Sequence, residues 1–208
     1  MPNGNHILVF GGLVWDDIYS VARIPLAGEA VRADFLERRQ GGSAANTAVG
    51  LADVGKKVFL VSSLGPGESN DLLLKKIKEV DTRFIERIPD AGENLVMIYI
   101  DSDGERTIFS SATPLKISLD SEAFNLEKNL VFLNSSRIDI PAFTRKLHER
   151  RSFVISALNK KFSLSDYQSG SSDEQDVPDL MVGSKVDLTL EDIQTLYKMM
   201  SMQEDDLG

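Results

Sequence analysis

The run Gly41-Gly42-Ser43-Ala44-Ala45-Asn46 brings together residue types that suit an oxygen-rich ligand. Two glycines lead directly into the helix-forming segment 44–54, so bare backbone N–H groups are expected at a helix N-terminus. Such an end carries partial positive charge and unpaired donors, which favour an anion or hydroxyl oxygens. Asn46, in the first turn, either offers its amide to the same ligand or bonds its own backbone. The glycine pair either leaves room for the ligand or forms a tight turn.

A carboxylate follows the first predicted strand, 7–10, in the run Gly11-Gly12-Leu13-Val14-Trp15-Asp16. Open α/β sheets bind ligands beyond the carboxyl ends of their strands. A carboxylate in that place can accept hydrogen bonds from two neighbouring sugar hydroxyls. The alternative is that Asp16 or Asp17 only solvates a loop. Trp15 has two interpretations as well, because it could stack on a sugar face or pack in the core.

Strand and helix patterns alternate along the chain, and these elements must position the polar residues. Apolar runs predict strands at 57–63, 129–133 and 152–158, and helical periodicity predicts helices at 70–80 and 141–150. This alternation predicts an α/β fold: a three-layer arrangement with a mostly parallel sheet and helices on both faces. At 208 residues with 42% hydrophobic content, the chain is expected to form one domain.

Two segments lack a crossover helix and are expected to leave the main sheet. Residues 27–39 look extended, and residues 94–110 read as a hairpin with its turn at 101–104. They are predicted to pair as a small antiparallel β-lid. Val96, Ile98 and Ile100 alternate along it and predict an apolar face, through which a homodimer is expected. Residues 163–179, rich in Ser, Asp, Gln and Gly, predict a flexible loop.

Composition excludes several classes of protein. A net charge of −9 disfavours nucleic-acid binding, and the absence of cysteine rules out thiolate chemistry and fits a reducing compartment. The chain has neither a signal-peptide pattern nor an apolar run near 18 residues, so we expect a soluble, cytoplasmic protein without membrane contact. His6 and His148 have no partners in sequence that suggest a metal site, and His148 is expected on a solvated helix face.

The spacing of Gly41, Gly42, Asn46, Gly55 and Gly65 resembles the first signature of the PfkB carbohydrate kinase family, also called the ribokinase family. The resemblance covers nearly all of the chain, but only the N-terminal two-thirds of a usual member. It implies a ribokinase-like fold with a β-lid over the substrate. It also implies that Asp16, Gly41, Gly42 and Asn46 bind a sugar or nucleoside, with ATP and Mg²⁺ as cofactors. The family reaction is ATP-dependent phosphorylation of a substrate hydroxyl.

Further along, the sequence departs from the family pattern. Where the family has Asn-x-x-Glu, which helps place magnesium and phosphates, this chain has Ser184 and Asp187. Asn159 aligns with a family asparagine near the phosphate-transfer zone. The family's glycine-rich turn with the catalytic base falls after the last residue, so no catalytic residue is assigned. The chain alone is therefore expected to lack kinase activity. Two hypotheses follow: a truncated or divergent kinase, and a non-catalytic sugar-binding or dimerising derivative. A third, weaker one is an unrelated α/β ligand-binding domain.

Overall fold

The computed structural model describes residues 6–112, 116–126, 129–134, 139–158 and 178–183. In chain order the elements are β1 (Ile7–Gly11), β2 (Val14–Val21), β3 (Ala33–Gly41), α1 (Ser43–Asp53), β4 (Val58–Leu64), α2 (Glu68–Lys76), β5 (Ile85–Arg87), β6 (Leu95–Ile100), β7 (Arg106–Ser110), a 3-10 turn (Glu122–Asn125), β8 (Leu130–Asn134), α3 (Ile140–Glu149), β9 (Phe153–Leu158) and β10 (Leu180–Gly183).

The main sheet has the strand order β10-β9-β8-β1-β4-β5, and all neighbouring strands run parallel. Side chains of β1 alternate between the two cores that cover the sheet. Phe10 packs on one side with the 3-10 turn and α3, whereas Val9 packs on the other side with α1 and α2. The predicted three-layer α/β architecture is therefore confirmed.

Helix α1 begins at Ser43, one residue before the predicted start, because Gly42, between β3 and the helix, turns the chain with a positive φ of 95°. Helix α2 ends at Lys76 rather than at the predicted residue 80. Beyond it, Asp81 forms a bridge with Phe59 and exchanges backbone hydrogen bonds with β4. The chain must turn after Lys76 to make this pairing, while Ile77 and Val80 still reach the core. Tertiary pairing thus overrides the helical periodicity.

A second sheet, which we call the lid, has the order β3-β2-β6-β7. The expected direct pairing of residues 27–39 with 94–110 is wrong. Strand β2 lies between the two segments, antiparallel to β3 and parallel to β6, and the 94–110 hairpin forms as β6 and β7. Residues 27–32 precede β3 and belong to no strand. The sequence prediction missed β2 because it treated residues 11–17 as a loop after β1.

Ile98, expected on an exposed apolar face of the lid, is buried, with Ile18 beside it in the adjacent strand. The opposite face carries an aromatic row in which Tyr19 stacks on Tyr99 and contacts Phe35 edge-on. Both faces of the lid are therefore rich in apolar groups. Of the predicted loop 163–179, only the last two residues lie in the described part of the chain.

Candidate functional site

Asp16 lies in the middle of β2 and so belongs to a lid strand, not to a loop after β1 as expected. Its backbone pairs with Arg39 of β3 and Val96 of β6. The carboxylate is half-buried, and it forms no hydrogen bond or ion pair with any residue in the described ranges. A carboxylate that is partly removed from water and left unpartnered carries a cost unless something binds it.

The Asp16 carboxylate rests against the backbone of Gly41, the last residue of β3. A Cβ atom added to Gly41 would overlap that carboxylate, because its three nearest neighbours are all carboxyl atoms of Asp16. At Gly42 the positive φ already disfavours other residues, and an added Cβ would strike the carbonyl oxygen of Gly12. Both glycines are thus needed for close approach within the protein. Sequence reasoning had attributed them to room for the ligand or to a tight turn.

The N-terminus of α1 follows immediately, and its first backbone amides have no acceptor within the helix. Gly42 provides no side-chain cap, and the first turn contains no acidic residue. Among the described residues, the amides of Ser43 and Ala44 have no backbone acceptor, whereas those of Ala45 and Asn46 bond to Gly12 and Gly42. Ala44 is fully buried and Ser43 is exposed, so the Ser43 amide is the one of these two that can donate to a ligand oxygen.

Asn46 is exposed on α1, and its side chain is oriented by a neighbour. Gln40 Nε2 donates to Asn46 Oδ1 at 3.0 Å and to the carbonyl oxygen of Gly41 at 3.3 Å. No other residue in the described ranges bonds Asn46 Nδ2, which is left as a donor. The structure thus links Asp16, Gly41, Gly42 and Asn46 in one continuous cluster. Within the part of the chain that the structure describes, this cluster contains one acceptor without a hydrogen-bond partner, the Asp16 carboxylate, and two such donors in exposed residues, the Ser43 amide and Asn46 Nδ2.

The environment of Asp16 sets its acidity. Burial raises the pKa of the carboxyl group above its usual value of 3.8; Arg39 opposes this shift and the neighbouring Asp17 adds to it. In its ionised form the group is a pure acceptor of hydrogen bonds. It therefore suits hydroxyl groups better than another anion.

Two further residues at this edge escaped the sequence analysis. Asn134 ends β8 directly beside Gly11, and its Nδ2 donates to Thr47 Oγ1 of α1 at 3.3 Å. A polar residue at the carboxyl end of a predicted strand was the available signal. Gln40, which orients Asn46, gave no signal, because only the folded backbone brings the two side chains together.

The remaining predicted residues divide into two groups. Asn159, Ser184 and Asp187 lie outside the described residues, so their suggested place near phosphate or metal stays a prediction. Of the two interpretations of Trp15, the structure favours packing in the core, because Trp15 is buried and donates from Nε1 to the carbonyl oxygen of Ser69 at 3.0 Å. His148 is partly exposed on α3, and its Nε2 contacts Asp179 Oδ2 at 3.0 Å, a partner that the sequence did not indicate.

Within the described ranges, no group of three or more His, Cys, Asp or Glu residues is arranged to hold a metal ion. The same part of the chain has no helix that is both long and apolar enough to cross a membrane.

The parallel sheet with helices on both faces and the separate lid are the architecture expected of a ribokinase-like α/β protein. The model for "pfkB family carbohydrate kinase" matches residues 5–135, more than half of the chain. The chain belongs to this family.

Comparison with individual proteins agrees with this assignment. The deoxyribokinase of Salmonella typhi is 24% identical over 104 residues, which are 49% of this chain and 34% of that protein. This chain thus spans about a third of the length of the curated relatives it matches.

Solved structures show the same fold. Ribokinase from Giardia lamblia superimposes with a TM-score of 0.72 at 18% identity, covering 94% of this chain and 65% of that one. Arabidopsis thaliana ribokinase complexed with ribose and ATP gives 0.67 at 17% identity, covering 94% and 68%. The nucleoside kinase of Methanocaldococcus jannaschii gives 0.60 at 16% identity, covering 99% and 68%.

Proposed function

We propose that this chain forms the substrate-binding part of an ATP-dependent kinase that phosphorylates a hydroxyl group of a sugar or nucleoside. Asp16 accepts hydrogen bonds from two neighbouring hydroxyls of the substrate. The side chain of Asn46 and the backbone amide of Ser43, the first residue of α1, donate to the same ligand. The observation that carries the proposal is the half-buried Asp16 carboxylate, which has no protein partner in the described structure and rests on Gly41 beside an open helix N-terminus.

The choice of a polyhydroxylated ligand follows from the arrangement of donors and acceptors. A carboxylate is an acceptor only, and the helix end together with the Asn46 amide are donors. A vicinal diol can satisfy both, because each hydroxyl donates one hydrogen bond and accepts others. An inorganic anion would use the donors but would be repelled by Asp16. The names of the relatives agree with this class, since they include a ribokinase, a deoxyribokinase and a nucleoside kinase.

Calorimetric titration tests the proposal with D-ribose, 2-deoxy-D-ribose, D-fructose and adenosine as probes. Asp16→Ala should weaken the best probe about 10- to 150-fold, because a hydrogen bond to a charged group contributes about 1.5–3 kcal/mol. Asn46→Ala should weaken it less, since that amide is neutral and exposed. Asp34→Ala is the matched control, because Asp34 is an exposed lid carboxylate whose ion pair within the described ranges is with Arg32. Equal affinities for wild type and Asp16→Ala would refute the proposed site.

ATP and Mg²⁺ are expected as cofactors from the family. ATP would supply the transferred phosphoryl group, and the metal would neutralise its developing charge. The described residues offer no metal-binding cluster, and the candidate residues Asn159, Ser184 and Asp187 lie outside them. No step of the phosphoryl transfer is therefore assigned to residues of this chain.

A second candidate is a non-catalytic sugar-binding protein derived from the same family. It is favoured by Ser184, which lacks the amide of the family's asparagine, and by Asp187, which is one methylene shorter than glutamate. ADP release by the full-length gene product, measured with ATP, Mg²⁺ and the best probe, separates the two candidates. Turnover at ordinary kinase rates, about 1–100 per second, supports the kinase, whereas binding without turnover supports the second candidate.

We also propose that the lid mediates a homodimer. Both of its edge strands expose large apolar side chains: Phe35 and Leu36 on β3, and Ile108 and Phe109 on β7. Exposed apolar edge strands favour association with another strand or sheet. A second copy of the lid would offer a surface of the same character.

A further inference from the structure

Asp17 lies next to Asp16 on β2, and its side chain points to the opposite face of the lid. It is buried, yet it is fully paired, because Arg38 of β3 stands directly across from it. Arg38 Nε donates to Oδ1 at 2.5 Å, and Nη2 donates to Oδ2 at 2.8 Å. This two-point ion pair fixes the side chains geometrically as well as electrostatically.

The rest of the Arg38 guanidinium connects the lid to the main body. Nη1 donates to Glu93 Oε1 at 3.0 Å, and the hydroxyl of Ser69, in α2, donates to the same oxygen. The guanidinium also lies over the ring of Trp15, 5.7 Å from its centroid. Trp15 in turn bonds the Ser69 carbonyl. We call Trp15, Asp17, Arg38, Glu93 and Ser69 the lid clamp.

The lid clamp holds the two residues that flank Asp16 in sequence. Trp15 and Asp17 are both anchored on the face of the lid that touches α2. Because side chains alternate along a strand, this anchoring forces Asp16 to project from the other face. That face is the one on which its carboxylate meets Gly41.

Each nitrogen of the Arg38 guanidinium donates a hydrogen bond to Asp17 or Glu93, so three of its five N–H groups are engaged and the side chain is held from both carboxylates. Its hydrogen bond to Asp17, with the smaller contribution of Glu93, raises the pKa of the guanidinium further above its already high value. Removing Arg38 would leave the Asp17 carboxylate buried without its partner, and the strand would have to move to let water reach it.

We propose that Arg38 is a positioning residue for the substrate site: through Asp17 and Trp15 it sets the orientation of β2, and thereby the place of the Asp16 carboxylate. Arg38 therefore determines sugar affinity without touching the sugar. The effect of Arg38 on sugar affinity rests on the proposed function, whereas its effect on the orientation of Asp16 does not.

The test uses Arg38→Lys, which keeps the positive charge but cannot make the two-point contact. Its affinity for the best of the four probes should fall about tenfold, the equivalent of one lost charged hydrogen bond. The control is Arg32→Lys, because Arg32 is an exposed arginine just before β3 and, among the described residues, its ion pair is with Asp34. That control should bind like the wild type. Unchanged affinity in Arg38→Lys would overturn the proposal.

A second measurement needs no ligand. It reports on the surroundings of the Asp16 carboxyl group itself, and not on the overall stability of the fold. The carboxyl group of Asp16 is titrated by ¹³C NMR in wild type, Arg38→Lys and Arg32→Lys. Burial raises the pKa of Asp16 in the native site. If Arg38→Lys allows β2 to move, the Asp16 carboxyl group becomes more exposed, and its pKa should fall toward 3.8 in that variant only. If no probe binds the wild type, the proposed function fails, and this titration still decides the role of Arg38. An identical Asp16 titration in all three proteins would refute the positioning role of Arg38.

The chain has a single tryptophan, so emission from Trp15 reports directly on the lid clamp. Arg38→Lys should change this emission while the thermal unfolding transition remains cooperative. If Arg38→Lys fails to fold, the double variant Asp17→Asn, Arg38→Gln replaces it, because it leaves no unpaired buried charge. This double variant should also show weakened binding and a shifted Asp16 titration. Wild-type behaviour in both measurements would count against the positioning role.

Discussion

Replacing Gly41 with alanine provides a direct test of the site, because the added methyl group would occupy the place of the Asp16 carboxylate. The three atoms nearest to the new Cβ all belong to that carboxyl group. Gly41 does not have a positive φ, so alanine suits its backbone conformation. The substitution therefore acts on Asp16 rather than on the strand itself.

The magnitude follows from the displacement required. The carboxylate must retreat by about 1.3 Å, because its nearest oxygen would lie 2.1 Å from the added Cβ and ordinary van der Waals contact begins at 3.4 Å. A shift of that size stretches a normal hydrogen bond beyond its useful range. The expected loss of sugar affinity therefore approaches that of Asp16→Ala, about 10- to 150-fold. The cost in stability should be smaller, because a carboxylate can rotate into another conformer for about 0.5–1.5 kcal/mol.

A double-mutant cycle measured by calorimetry checks this reasoning. Gly41→Ala and Asp16→Ala should each weaken binding, and the double variant should be little worse than either, because both changes remove the same interaction. Gly50→Ala is the control: an added Cβ there meets nothing within 4 Å. It should leave affinity unchanged and raise the melting temperature slightly, since glycine in a helix costs about 1 kcal/mol. Additive losses, or wild-type binding by Gly41→Ala, would show that the carboxylate does not hold the sugar.

Three further outcomes are expected. Because the pKa of Asp16 is raised, sugar affinity should fall on acidification at a pH above 3.8, and calorimetry across pH should show no such fall in Asp16→Asn. Burial raises the pKa of Asp179, but hydrogen bonds from His148 and a backbone amide outweigh it, so the net pKa is lowered. Asp179→Asn should therefore lower the melting temperature at pH 7, and the deficit should disappear as the pH falls through the folded-state pKa, below 3.8. If the lid dimerises, Phe35→Ser with Phe109→Ser should yield monomers in sedimentation velocity, and an unchanged sedimentation coefficient would contradict the interface.

Much of the main sheet could be predicted from the sequence, because its signals are local. Buried parallel strands are continuous apolar runs, and β1, β4, β8 and β9 all lie within a residue or so of their predicted positions. Helix α1 was predicted from a glycine at each end, and both Gly42 and Gly55 have the positive φ that those positions require. The residue types at 16, 41, 42 and 46 also indicated a ligand rich in hydroxyls.

Tertiary structure alone determined the faces on which these residues lie and the partners that surround them. Strand β2 has five β-branched or aromatic residues, but Asp16 and Asp17 interrupt its apolar pattern. The pairing that makes it a strand comes from β3 and β6, which supply hydrogen bonds on both its sides. That pairing decides which face Asp16 occupies, since a shift of one residue would exchange it with Asp17. The ion pair of Asp17 with Arg38 and the contact of His148 with Asp179 join residues more than 20 positions apart. The sequence specifies which chemical group stands at each position. The face on which that group lies and the partner that it meets depend on strand register, which is fixed only when the strands pair in the folded chain.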